Sequence, residues 1–106
     1  MITWITGNSG SGKTTLSNKI RKNEIQLDGD DLRKVWTDLG FTEQDRREQN
    51  IRTANLALLL ERQGFDVIIS TICPYKDLRD QVKKMTNCRF IYLDGGNVGN
   101  EYPYEK

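Results

Sequence analysis

With 106 residues, a net charge of +1 and no histidine, the chain holds one domain's worth of material, and imidazole is excluded as base, nucleophile or metal ligand. The near-balanced charge argues against a nucleic-acid partner, and no apolar run is long enough to span a membrane. Cys73 and Cys88 lack metal or redox spacing, which reads as reduced thiols in a cytoplasmic protein, and Met1 leads straight into a strand pattern without a leader signal.

The first predicted element is a buried strand, ITWIT (2–6), ending at Gly7. A helix follows from Lys13 to about Lys22, with Leu16 and Ile20 on one face. EIQLD (24–28) reads as a second strand. DDLRKVWTDLG (30–40) reads as a short helix capped by Asp30, with Leu32, Val35 and Trp36 inward and Gly40 closing it. The longest helical pattern is 42–64, with Thr42 as N-cap, Asp45 in a variant capping box, Ile51, Ala54 and Leu58 on one face and Gly64 as the stop. DVIIS (66–70) is a continuous apolar run, as in a strand buried on both faces. A helix over 75–85 begins just after Pro74, and RFIYLD (89–94) is a fourth strand. The alternation predicts an α/β fold, a mostly parallel sheet of about four strands with helices on both faces, and GNSGSGKTT (7–15) between the first strand and the first helix makes that sheet P-loop NTPase-like. Residues 1–94 read as the folded domain and 95–106 as a polar, Gly-rich tail.

Between the first strand and the first helix lies GNSGSGKTT, a match to G-x-x-x-x-G-K-S/T. Glycines at 7, 10 and 12 allow the backbone to curl its N–H groups around anionic oxygens, with Asn8, Ser9 and Ser11 completing the loop. The helix that opens at Lys13 adds its positive end. Lys13 reaches the β- and γ-phosphates of ATP, Thr14 ligates Mg²⁺, and Thr15 bonds the α-phosphate.

In a parallel sheet the carboxyl end of the next strand faces the same crevice. Asp28 and Asp30 are therefore candidates for ordering Mg²⁺ and for accepting a hydrogen bond from an attacking hydroxyl. Asp30 also suits a plain helix cap. Arg33, Arg46, Arg47 and Arg52 follow in the segment where an anionic acceptor would sit. Phe41 is placed either to stack on a base or to plug the core. The third strand ends in Ser70-Thr71 rather than in an acid, so Asp28 and Asp30 are preferred to Asp94 as metal-side carboxylates.

WITGNSGSGKTTLS, LDGDDLR, LGFTEQDRREQNIR, VIISTICPYKDLRD and FIYLDGG resemble, in order, the blocks of the adenylylsulfate (APS) kinase family. The resemblance implies transfer of the γ-phosphoryl of ATP to the ribose 3′-hydroxyl of APS, giving 3′-phosphoadenylylsulfate. It implies that Asp30 organises Mg²⁺ and the acceptor, that Arg33 and Arg46 clamp the phosphosulfate, and that Phe41 stacks on adenine. Gln49 stands where the family usually has Asn, with Asn50 one step later, and Ile72 and Cys73 would line the acceptor site. Cys73 replaces a family Ser. Only GGNVGNE separates Asp94 from YPYEK, where the family carries a longer lid, and the family's last strand and helix have no counterpart here. The residues alone also allow a kinase for another small hydroxyl metabolite or nucleotide, or a nucleotide-binding module with little turnover whose fourth strand recruits another chain. A small-molecule acceptor and a homodimer are the expected partners.

Overall fold

A computed structural model describes residues 1–8, 10–94 and 104–105. The strands are β1 (Ile2–Gly7), β2 (Ile25–Asp28), β3 (Val67–Ser70) and β4 (Arg89–Leu93). All pairings are parallel, in the order β2-β3-β1-β4. β1 and β3 occupy the centre and are wholly buried, which is why their residues read as unbroken apolar or β-branched runs.

Strand alternation divides the core. Ile2 and Trp4 join Val67 and Ile69 in a cluster with Ala54 and Ala57 of α3 (Glu43–Arg62) and with Leu78 and Val82 of α4 (Lys76–Thr86). α1 (Lys13–Ile20) packs on β1 and β3, where Ile5 and Ile68 supply the alternate residues. Helices therefore cover both faces. α3 carries the predicted cap: Thr42 Oγ1 accepts from Asp45 N at 3.1 Å. The box is open on its other side, because Asp45 Oδ2 accepts from Gly40 N at 2.9 Å instead of from the cap residue. Gly64, with φ of 92°, takes the left-handed conformation expected just past the helix end.

Three local expectations are corrected. α2 spans Gly29–Val35, and its N-cap is Asp28, not Asp30. β2 runs directly into the helix, so the strand's last side chain is the one that reaches back to the Asp30 amide. Helix α2 ends five residues before Gly40, and Val35 is 70% exposed rather than inward. On α1, Ile20 is 37% exposed, and Ser17 is the buried residue. Gln26 Nε2 donates to Ser17 Oγ at 2.9 Å, so a hydrogen bond ties α1 to β2. Residues 95–103, where the shortened lid is expected, lie outside the described residues, as does Lys106.

Gly7 is the last residue of β1 and pairs with Leu93 of β4. A Cβ there would lie 2.5 Å from the Leu93 carbonyl oxygen and 2.8 Å from Ser11 Oγ. The first of these neighbours is backbone and can move only by displacing the strand. Gly7→Ala is expected to cost about 1–3 kcal/mol by this overpacking, read as a lower urea midpoint with an unchanged m-value. An unshifted midpoint would show that the β1–β4 approach is slack.

Candidate active site

The sheet brings three chain-distant segments to one rim. In the strand register Asp28 stands beside Ser70, and Ser70 beside Ile5, so the carboxyl ends of β2 and β3 flank the loop that leaves β1. Asp28 is buried and is the hub. Its Oδ2 accepts from Thr14 Oγ1 at 2.6 Å and from Ser70 Oγ at 3.1 Å, and its Oδ1 accepts from the Asp30 amide at 3.0 Å. One carboxylate thus links the phosphate loop, the third strand and the turn carrying Asp30. Asp30 itself is solvent-exposed and points into the same cavity as Lys13.

Positive φ values at Gly10 and Gly12, 78° and 96°, curl the loop, a conformation that glycine adopts without steric cost. Lys13 Nζ lies inside the curl and donates to the carbonyls of Gly7 and Asn8 at 3.2 and 2.9 Å. Burial lowers the pKa of Lys13 from its ordinary value, and the charges of Asp28 and Asp30 oppose that shift. A partly desolvated ammonium whose hydrogen-bond partners among the described residues are neutral carbonyls is poised for an anion. Ser11 Oγ is buried without a hydrogen-bond partner among the described residues. Ser9 lies outside them.

Across a cavity of about 390 Å³ lies the acceptor side, with Arg33, Arg46, Gln49, Ile72 and Cys73 in its wall. Arg33 NH1 donates to Gly40 O at 3.1 Å and Arg46 Nε to Phe41 O at 2.8 Å. Both guanidiniums lie over the Phe41 ring, 4.2 and 5.7 Å from its centroid. Neither is ion-paired with a carboxylate among the described residues. Burial, with Arg46 nearby, lowers the pKa of Arg33, and Asp30 opposes this. Two like charges held together this way favour an incoming anion. Phe41 is 66% exposed, so the core-plug reading is corrected: its outer face is open.

Arg47 and Arg52 are not part of this site. Arg47 is paired with Asp77 and Glu43, and Arg52 with Asp38 and Glu48. On α3 they turn to these carboxylates and to the Tyr75 and Trp36 rings, while Arg46 and Gln49 face the cavity.

Gln49 Nε2 donates to Gly29 O at 3.0 Å, bracing the Asp30 turn. Asn50 lines the cavity wall with its amide already engaged. Its Nδ2 donates to Arg46 O at 2.9 Å, and its Oδ1 accepts from Thr71 Oγ1 at 2.8 Å. Thr71 Oγ1 in turn accepts from Trp4 Nε1 at 2.9 Å. The Cys73 thiol is buried and pushed up to about 12, chiefly by desolvation, so it is not a thiolate nucleophile at neutral pH. Sequence reasoning assigned no role to Ser70 and Thr71. Their composition carries no signal, and only the register places them beside Asp28 and Asn50.

No group of three or more Asp, Glu, His or Cys side chains gathers as a metal cage among the described residues. The Thr14 hydroxyl against the Asp28 carboxylate is instead a hard-oxygen pair. It suits a Mg²⁺ ion that keeps most of its waters and is carried largely by phosphate oxygens.

Residues 1–97 match the model of the family described as adenylylsulphate kinase. The chain belongs to the adenylylsulphate kinase family. The adenylyl-sulfate kinase of Burkholderia ambifaria is 41% identical over 90 residues, covering 77% of this chain and 50% of that protein. Among solved structures, the APS kinase of Mycobacterium tuberculosis in complex with AMPPNP and APS aligns with a TM-score of 0.72 at 30% identity. That alignment covers 88% of this chain and 60% of that one. A hexameric APS kinase from Thiobacillus denitrificans aligns with a TM-score of 0.74 at 25% identity, covering 99% of this chain and 23% of that one. The chain spans about half the length of the curated adenylylsulphate kinase relatives it matches.

Proposed function

We propose that this chain transfers the γ-phosphoryl of ATP to the ribose 3′-hydroxyl of adenylylsulfate, giving ADP and 3′-phosphoadenylylsulfate. The observation that carries the reading is the shared cavity. It has Lys13, Thr14, Asp28 and Asp30 on the phosphate side, and on the other Arg33 and Arg46, neither ion-paired with a carboxylate among the described residues. A phosphate tail and a second anionic nucleotide suit those two walls. The relatives' names and the complex with AMPPNP and APS support the same donor and acceptor.

The mechanism follows from the residues. Loop amides from Gly7 to Thr15, including Asn8, Ser9, Gly10, Ser11 and Gly12, hold the triphosphate, and Lys13 leaves its carbonyl partners for the β/γ oxygens. Thr14 and Asp28 are the residues that would hold Mg²⁺, which when bound neutralises phosphate charge. Asp30 accepts the proton of the 3′-hydroxyl as the new P–O bond forms and the bond to the β-phosphate oxygen breaks. Arg33 and Arg46 fix the phosphosulfate, Phe41 stacks on the acceptor's base, and Gln49, Asn50, Ile72 and Cys73 shape the acceptor wall.

The test is incubation with Mg-ATP and adenylylsulfate. A 3′-phosphorylated product is expected, and its absence from protein shown to bind ATP would remove this reading. Phe41→Leu is expected to raise the KM for adenylylsulfate by about tenfold, the scale of one lost base–aromatic stack, while the KM for ATP stays put. A change confined to ATP would place Phe41 on the wrong nucleotide. Buried, unlinked Cys73 and Cys88 support a reducing, cytoplasmic setting, and no helix among the described residues is long and apolar enough to cross a membrane. The hexameric relative supports self-association, and a homodimer is the assembly we propose.

A further inference from the structure

Tyr104 and Glu105 come back to the acceptor wall from far along the chain. The loop after β3 presents three successive carbonyls, and each has its own donor. Ile72 O accepts from Thr6 Oγ1 at 2.6 Å, Cys73 O from Arg79 NH1 at 3.0 Å, and Pro74 O from Glu105 N at 2.6 Å. The tail touches the first two of these donors and supplies the third. Tyr104 OH shares a hydrogen bond with Thr6 Oγ1 at 3.2 Å, and the Arg79 guanidinium lies 4.6 Å from the centre of the Tyr104 ring. Arg79 NH2 donates to the Glu105 carbonyl. Glu105 also caps α4. Tyr75, the N-cap residue, supplies no side-chain hydrogen bond, and Glu105 Oε1 accepts from the Lys76 amide at 2.9 Å. A carboxylate at that helix end is favourable as a cap and as a charge.

The loop needs this support. Cys73 has a φ of 37°, a left-handed conformation that a non-glycine residue holds only when its surroundings over-determine it. Arg79 is 3% exposed, although most arginines on a surface helix are solvated. Its burial is explained by the two backbone carbonyls and the ring that it joins.

We propose that Arg79 is a positioning residue, locking Tyr104–Glu105 against the 72–74 loop and so setting the shape of the acceptor wall. It lies outside the lining of the cavity and acts through the Cys73 carbonyl. The link to acceptor binding rests on the kinase reading above, whereas the lock itself does not.

Two readouts keep those apart. In the first, Arg79→Met is expected to raise the KM for adenylylsulfate by about tenfold, equivalent to one lost charged hydrogen bond, with the KM for ATP unchanged and Arg79→Lys recovering most of the loss. Equal rises in both KM values, or a lowered melting temperature with both KM values intact, would overturn the positioning role. The second readout needs no activity: hydrogen exchange at the Lys76 amide and maleimide labelling of Cys73. Glu105→Ala, which changes an exposed side chain, is expected to speed Lys76 exchange, and Arg79→Met to speed Cys73 labelling. If wild-type protein makes no 3′-phosphorylated product yet these two rates rise, the kinase reading fails and the lock stands. If neither rate moves, the lock is wrong whatever the activity.

Discussion

Lys13→Met is expected to lower phosphoryl transfer by about 10²–10³-fold, the usual loss when one preorganised charge donor is removed from a transition state. The fold should survive. Among the described residues Lys13 donates only to the Gly7 and Asn8 carbonyls, and its burial disfavours its own charge. Removing that charge relieves a desolvation cost, so the melting temperature should hold or rise. The loss should fall on the chemical step, because the loop amides and the helix terminus still receive the phosphates. Single-turnover rates at saturating ATP, compared with the thermal midpoint, separate the two quantities. Transfer within tenfold of wild type would mean that the ammonium stays on the carbonyls throughout and takes no part.

Asp30→Asn is expected to cost about 10²–10⁴ in kcat, the range for a positioned general base, with ATP affinity little changed. This substitution is clean because the Asp30 side chain makes no hydrogen bond or ion pair among the described residues. It is exposed, and the hydrogen bond that Asp30 makes to Asp28 uses its backbone N–H. Asn keeps the shape but cannot take the acceptor's proton. Asp28→Asn is the informative contrast, since Asp28 joins Thr14, Ser70 and the α2 cap. Asn at position 28 would disturb stability and Mg²⁺-dependent ATP binding together. If Asp30→Asn kept full kcat while Asp28→Asn lost it, the proton acceptor would be Asp28 and the roles assigned here would be exchanged.

The two arginine pairs show how far local sequence reached. Arg33, Arg46, Arg47 and Arg52 are the same residue type in one segment, and composition cannot rank them. On α3 the helical period turns Arg46 and Gln49 towards the cavity, while Arg47 and Arg52 meet carboxylates on α2's exit, α3 and α4. Asp77 lies thirty positions beyond Arg47, so nothing near Arg47 in sequence marked it as neutralised. Asp28 and Asp30 carry the same lesson. Both were legible as carboxylates on the phosphate-loop rim from their place at the carboxyl end of the second strand. Which of them caps α2 depended on the residue at which β2 turns into helix.

The sequence by itself determined the order of elements, the phosphate loop and its glycines, the two carboxylates beside it, and the family. Those depend on contacts within a few residues or on periodicity along one element, which a chain displays directly. Only the tertiary structure decided that Ser70 completes the Asp28 hub, that Thr71 ties Asn50 to Trp4, and that Arg79 joins Cys73 to Glu105. Each of these joins residues at least twenty positions apart or places a carbonyl against a buried cation. Such pairings arise from strand register and helix docking, which hydrophobic burial sets for the molecule as a whole.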